Sequence, residues 1–114
     1  MIDHVTIRVS DFEASKAFYS CVLAPLGLEP YDDETVPGTE WGDFSIAADD
    51  KPVAQNVHIA FPATSREEVD AFYRAAMEAG YRDNGSPGER PVYHDGYYGA
   101  FVLDPERSNT LVTL

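Results

Sequence analysis

His4-Val5-Thr6-Ile7-Arg8-Val9-Ser10-Asp11-Phe12-Glu13 and His58-Ile59-Ala60-Phe61-Pro62-Ala63-Thr64-Ser65-Arg66-Glu67 are two versions of one pattern, set 54 residues apart. The same shift lays Ala17-Phe18-Tyr19 on Ala71-Phe72-Tyr73, and Gly27 meets Gly80 after a one-residue slip. A fixed offset of this kind marks a repeated supersecondary unit. Each copy opens with a period-two strand pattern: Val5, Ile7 and Val9 point one way, and His4, Thr6 and Arg8 the other. Val57, Ile59 and Phe61 alternate in the same way with His58 and Ala60.

A helix start follows in both copies. Ser10 with Glu13, and Thr64 with Glu67, have the spacing of a capping box. Apolar residues then recur at helical spacing, at Ala14, Ala17, Phe18, Cys21 and Val22 and at Val69, Phe72, Tyr73, Ala76 and Met77. Pro25 with Gly27, and Gly80, stop the helices. Strand-like runs come next: Leu28 to Tyr31 and Phe44 to Ala47 in the first half, then a run near Tyr81, Tyr98 to Leu103 and Thr110 to Leu114 in the second. Asp32 to Gly42 reads as a separator and Asn84-Gly85-Ser86-Pro87-Gly88 as a loop. Each half is β-α-β-β-β and too short to hold a core alone, so the halves pair. The expectation is one α+β domain over residues 1–114, with modules of about 1–53 and 54–114, whose curved sheet surrounds a cleft with helices on its outer face.

Composition limits the functions open to such a domain. The chain has 114 residues and a formal charge of −12, which repels phosphate backbones and argues against nucleic-acid partners. No stretch approaches the roughly 18 uninterrupted apolar residues of a membrane span. The start Met1-Ile2-Asp3-His4-Val5 has no secretory pattern, and the chain reads as cytoplasmic. Cys21 is the single cysteine, so an internal disulfide is impossible and a thiolate cluster has no ligands; at its helical position it reads as a small core residue. Neither a phosphate-cradling glycine loop nor a nucleophile elbow is present. The acidic groups Asp32-Asp33-Glu34 and Asp49-Asp50 read as solvated turns without calcium-loop spacing.

Strand parity and the repeat together make His4 and His58 counterparts facing a common cleft. Converging neutral imidazoles suit a divalent metal such as zinc, iron, nickel or manganese; hydrogen-bonded histidines without metal are the other reading. A third ligand would come from Glu40, Asp43 or His94. Arg8 shares the His4 face and is a candidate for holding a substrate carboxylate, or for a salt bridge to an acid of this chain. Pro91-Val92-Tyr93-His94-Asp95-Gly96-Tyr97-Tyr98-Gly99 gathers aromatic groups with polar tips, fit to rim a small-ligand site or to pack on a partner copy. His94 is there as a candidate general acid or base, since imidazole titrates near neutrality, or as a surface loop residue. Trp41 and Phe44 either line the cup or close the core.

These residues resemble the vicinal oxygen chelate superfamily, which includes glyoxalases, bleomycin-resistance proteins and extradiol dioxygenases. The resemblance spans nearly the whole chain and is carried by Asp3-His4-Val5-Thr6-Ile7-Arg8-Val9, Ser10-Asp11-Phe12-Glu13, Phe18-Tyr19, Val57-His58-Ile59-Ala60-Phe61 and Gly99-Ala100-Phe101-Val102-Leu103-Asp104-Pro105. It implies paired modules around a metal-containing or empty cup, a small organic ligand and a homodimer. In metal-using members a His or Gln on the first strand and a Glu on the last strand of each module hold the ion. His4 and His58 match the first-strand positions; Leu111, and in the first module a place near Ser45, stand where the glutamates belong. The resemblance thus implies a small-molecule-binding protein with a degenerate metal site, its cup lined by Arg8, Trp41, Tyr93, His94 and Tyr97. The alternative it leaves open is a divalent-metal lyase or dioxygenase using His4 and His58.

Overall fold

The computed structural model describes residues 2–33, 38–107 and 109–113. Strand β1 (Val5–Arg8) leads into helix α1 (Phe12–Leu23), followed by β2 (Tyr31–Asp33), β3 (Gly38–Trp41) and β4 (Phe44–Ala47). The second half runs β5 (His58–Pro62), α2 (Arg66–Glu78), β6 (Arg82–Glu89), β7 (Tyr98–Leu103) and β8 (Asn109–Thr113). The sheets have equivalent strand orders, β1-β4-β3-β2 and β5-β8-β7-β6, so the second half is a structural copy of the first. In each, the first and last strands run parallel and the other neighbours antiparallel. The two sheets are separate four-stranded units rather than one continuous ladder.

Both helices end alike. The Gly27 and Leu28 amides donate to Ala24 and Leu23 carbonyls, while those of Gly80 and Tyr81 donate to Met77 and Ala76. This double closure needs a left-handed residue, met by Gly27 at φ 79° and Gly80 at φ 87°. The helix starts differ from the expected boxes by one residue. Asp11 caps α1 by accepting from Ala14 N at 3.0 Å, and Ser65 caps α2 by accepting from Glu68 N at 3.2 Å. Glu68, not Glu67, reaches back, taking the Thr64 amide at 2.8 Å. Ser10 has another partner: its amide and hydroxyl both donate to Glu106 Oε1 at 2.6 Å, across 96 residues of chain.

Three strand expectations are corrected. Pro30 lacks an amide for the ladder, so β2 begins at Tyr31 and carries Asp32 and Asp33 within a strand, while Glu34 lies outside the described residues. The supposed separator contains β3, which turns into β4 through Gly42-Asp43, with Gly42 at φ 61° and Trp41 paired to Phe44. Asn84 to Gly88 lies inside β6; register shifts on either side of Gly85 let this Gly- and Pro-bearing edge strand stay paired.

Ile7 and Val9, Phe44 and Ile46, Phe61, and Ala100, Val102 and Val112 all turn toward the helices and are buried in one cluster with Phe18, Tyr19, Val22, Leu23, Val69, Phe72 and Ala76. The modules meet through these groups. Phe44 and Phe61 stand edge to face at 5.2 Å, and Phe18 does the same to Tyr81 at 4.7 Å. The buried Tyr19 hydroxyl donates to Asp104 Oδ2 at 2.6 Å, and burial with that adjacent carboxylate pushes its ionisation well above the ordinary phenol range. Cys21 is half-buried at the same seam, donating to Ala75 O at 3.5 Å; burial raises its thiol's pKa. No helix among the described residues is long and apolar enough to cross a membrane.

Burial pushes the Glu106 carboxyl up, but hydrogen bonds from Ser10 and the Asp11 amide outweigh it and hold the pKa below the ordinary 4.5. A carboxylate depressed by folding stabilises the fold above its unfolded pKa and loses that contribution as pH falls through its folded value. Chemical denaturation across pH should show a decline below about pH 4.5 that Glu106→Gln makes shallower, with the variant less stable than the parent at neutral pH.

Candidate ligand-binding site

The residues that the core does not claim lie on the opposite face of each sheet. In sheet 1, Thr6 of β1, Ser45 of β4 and Glu40 of β3 stand side by side in register, flanked by His4 and Arg8. Thr6 Oγ1 and Ser45 Oγ share a hydrogen bond of 2.7 Å. Two hollows of about 400 and 250 Å3 open on this face and share Thr6, Glu40 and Ser45, forming one polar trough. His4, Asp3 and Asp43 line its larger end; Arg8 and Asp49 line the other.

Strand β1 aims Arg8 along the trough, where Nε and Nη2 donate to Asp49 Oδ2 at 3.3 and 3.2 Å. The Lys51 amide and then Arg8 hold the Asp49 carboxyl below its usual range. Arg8 therefore has its salt bridge, but an exposed one that costs little to exchange for a ligand anion. His4 is exposed, with Nδ1 3.0 Å from Asp3 Oδ1.

The equivalent row of sheet 2 is Ala60 of β5, the Leu111 position of β8 and Phe101 of β7. Ala60 follows Thr6 by the repeat offset, and each is registered to the last strand of its module, so Ser45 is the counterpart of Leu111. The Phe101 ring is flanked by the His58 imidazole at 6.5 Å and the Arg90 guanidinium at 5.0 Å. Arg90 donates to the carbonyls of Ser86, Gly88 and Gly99, tying the 91–97 loop to β6 and β7. In that loop Tyr97 packs against Tyr93 at 4.8 Å and His94 at 5.2 Å, and His94 Nδ1 lies 2.8 Å from Asp95 O.

The expected site residues therefore form three groups. His4 and Arg8 share the polar trough; His58 stands with Phe101 on sheet 2; Tyr93, His94 and Tyr97 cluster in the Arg90-anchored loop. Among the described residues, all that line the trough belong to the first module, and His58 is not one of them. Trp41 lies on the core side of β3, 1% exposed, beside Tyr19 and Phe44. It does not line the trough with Arg8. Thr6, Ser45 and Glu40 are readable as trough residues from strand parity, and Phe101 from parity in β7; the Arg8 to Asp49 pair, 41 positions apart, has no local signal.

The residues do not fit a four-ligand metal centre. A hydroxyl at Ser45 and an apolar residue at 111 fill the two last-strand places, and a neutral hydroxyl and a hydrocarbon supply no anionic oxygen donor. Glu40 and Asp43 share the larger hollow with His4, but no three His, Cys, Asp or Glu side chains converge on one point among the described residues.

The chain matches the model of the Glyoxalase/Bleomycin resistance protein/Dioxygenase superfamily over residues 1–109. A glyoxalase/bleomycin resistance protein from Albidiferax ferrireducens T118 has a similar crystal structure, with TM-score 0.86 and 27% identity, covering 99% of this chain and 98% of that one. The uncharacterized protein YqjT of Bacillus subtilis (strain 168) is 28% identical over an alignment 117 positions long that covers 91% of each chain. A glyoxalase/bleomycin resistance protein/dioxygenase family enzyme from Burkholderia phytofirmans PsJN shares the fold at TM-score 0.71 and 23% identity, covering 97% of this chain and 95% of that one.

Gly85 lies under this second face at φ 146°, and a Cβ there would come within 3.2 Å of both Arg90 Nη2 and the Phe101 ring. Gly85→Ala should cost about 1–3 kcal/mol in urea denaturation. It should also shift the Phe101 and Arg90 NMR signals.

Proposed function

The chain belongs to the Glyoxalase/Bleomycin resistance protein/Dioxygenase superfamily, and on that premise we propose that it binds a small organic molecule without a resident metal. Members of this superfamily bind small ligands and often form dimers. The observation that carries the proposal is the divergence of two equivalent rows: Thr6, Ser45 and Glu40 on one sheet, Ala60, Leu111 and Phe101 on the other. A cup walled by both faces suits a ligand with one polar edge and one apolar or aromatic face, Arg8 taking an anionic group and Phe101 offering its ring. Because the described residues of its own second module give the trough no wall, a second copy of the chain supplies the opposite face in this reading. Tyr93, His94 and Tyr97 then form the rim.

Analytical ultracentrifugation at micromolar concentration should show a dimer; a monomer that still binds ligand would remove the shared cup. With 4-hydroxybenzoate as probe, Arg8→Ala should weaken binding about tenfold, the loss of one charge-assisted hydrogen-bonded pair. Unchanged affinity would end the anion-holding role.

A second reading, a divalent-metal lyase or dioxygenase, is supported by His4 and His58 holding equivalent places at the head of each module's first strand. Elemental analysis of untagged protein separates the two. The metal-free reading expects well under one metal per chain, unaltered by His4→Ala or His58→Ala; one equivalent lost on either substitution would replace it.

A further inference from the structure

We infer that the polar trough selects a carboxylic acid that also carries an amine at its other end, and discriminates against plain anions. This rests on the reading of the trough as a ligand site and adds the charge that its ligand must bear. Among the described residues, the two hollows of the trough are lined by four carboxylates, Asp3, Glu40, Asp43 and Asp49, against one guanidinium, Arg8, and one imidazole, His4. The trough is therefore net negative on a chain of charge −12, whichever form His4 takes.

The Arg8 bridge turns that surplus into a selection rule. Asp49 Oδ2 already accepts from both Arg8 Nε and Nη2, while its Oδ1 takes the Lys51 amide at 3.0 Å. A ligand carboxylate that replaces Asp49 gains contacts much like those it breaks, and it brings one more negative charge into the trough. An ammonium on the same molecule cancels that addition. Its partners lie away from Arg8: Glu40 stands in register with Ser45 and Thr6, and Asp43 lies in the turn that follows β3. Neither carboxylate has a hydrogen-bond or ion-pair partner among the described residues. Two strand spacings across and two residues along put the Arg8 and Glu40 Cα atoms roughly 12 Å apart, so the two charges of the ligand sit at opposite ends of its body and not on neighbouring atoms. No three His, Cys, Asp or Glu side chains converge on one point among the described residues, which suits an organic ammonium over a metal ion.

Isothermal titration at low salt with 4-(aminomethyl)benzoate and 4-(hydroxymethyl)benzoate compares two molecules of one shape that differ in the positive charge. The amine should bind roughly three- to fivefold more tightly, the yield of a partly exposed ion pair, and this preference should shrink at high salt. Glu40→Gln should lower the preference, and Glu40→Gln with Asp43→Asn should bring the two affinities together. Arg8→Ala should weaken both. 4-Methylbenzylamine, which keeps the amine and lacks the carboxylate, should bind more weakly than 4-(aminomethyl)benzoate. Equal affinities for the matched pair, each lowered by Arg8→Ala, would overturn the inference and leave the proposed function standing. A preference undiminished in both variants, or 4-methylbenzylamine binding as tightly as 4-(aminomethyl)benzoate, would overturn it as well. No saturable binding of any probe would remove both this inference and the reading on which it rests.

Discussion

Strand alternation is the constraint from which the rest of this molecule follows. Once Ile7, Val9, Ile59 and Phe61 are committed to the helices, every intervening residue of the same strands is turned away from the core. The two helix-bearing faces then merge through Phe44, Phe61, Phe18 and Tyr81, and neither module could exclude water from its helix side alone. The outward faces are left free to differ. The Tyr19 to Asp104 bond adds direction to that seam, because a buried carboxylate must keep its donor.

Much of this was legible in the sequence because it is local or periodic. The offset between His4 and His58, the parity of β1 and β5, and the glycines at 27 and 80 fixed the duplication and the helix ends. What was not legible depends on partners far along the chain. Ser10 has the spacing of a cap, but Glu106 claims it from 96 residues away and passes the capping role to Asp11. Asn84 to Gly88 has turn composition, yet it is paired strand because Phe101 and Arg90 need space that only glycine leaves at position 85.

The candidate site shows the same division. That His4 and Arg8 share a face follows from counting by two, and so does the placement of Thr6. Trp41 could not be assigned without β3, whose register puts Glu40 toward solvent and the indole toward Tyr19. That His58 is not among the described residues lining the trough beside His4 is likewise a property of how the modules pack and not of either strand. A duplicated backbone preserves equivalence of position, while the side chains at Thr6 and Ala60, or Ser45 and Leu111, have ceased to be equivalent in chemistry.

The way Arg90 is anchored bears on how such a protein can change. Its guanidinium is spent on three main-chain carbonyls and one ring, contacts indifferent to the identity of residues 91 to 97. The segment between is held at its base like a replaceable tip on a fixed handle. Gly96 at φ 81° apart, the side chains along that segment can therefore change without reopening the question of whether the chain folds.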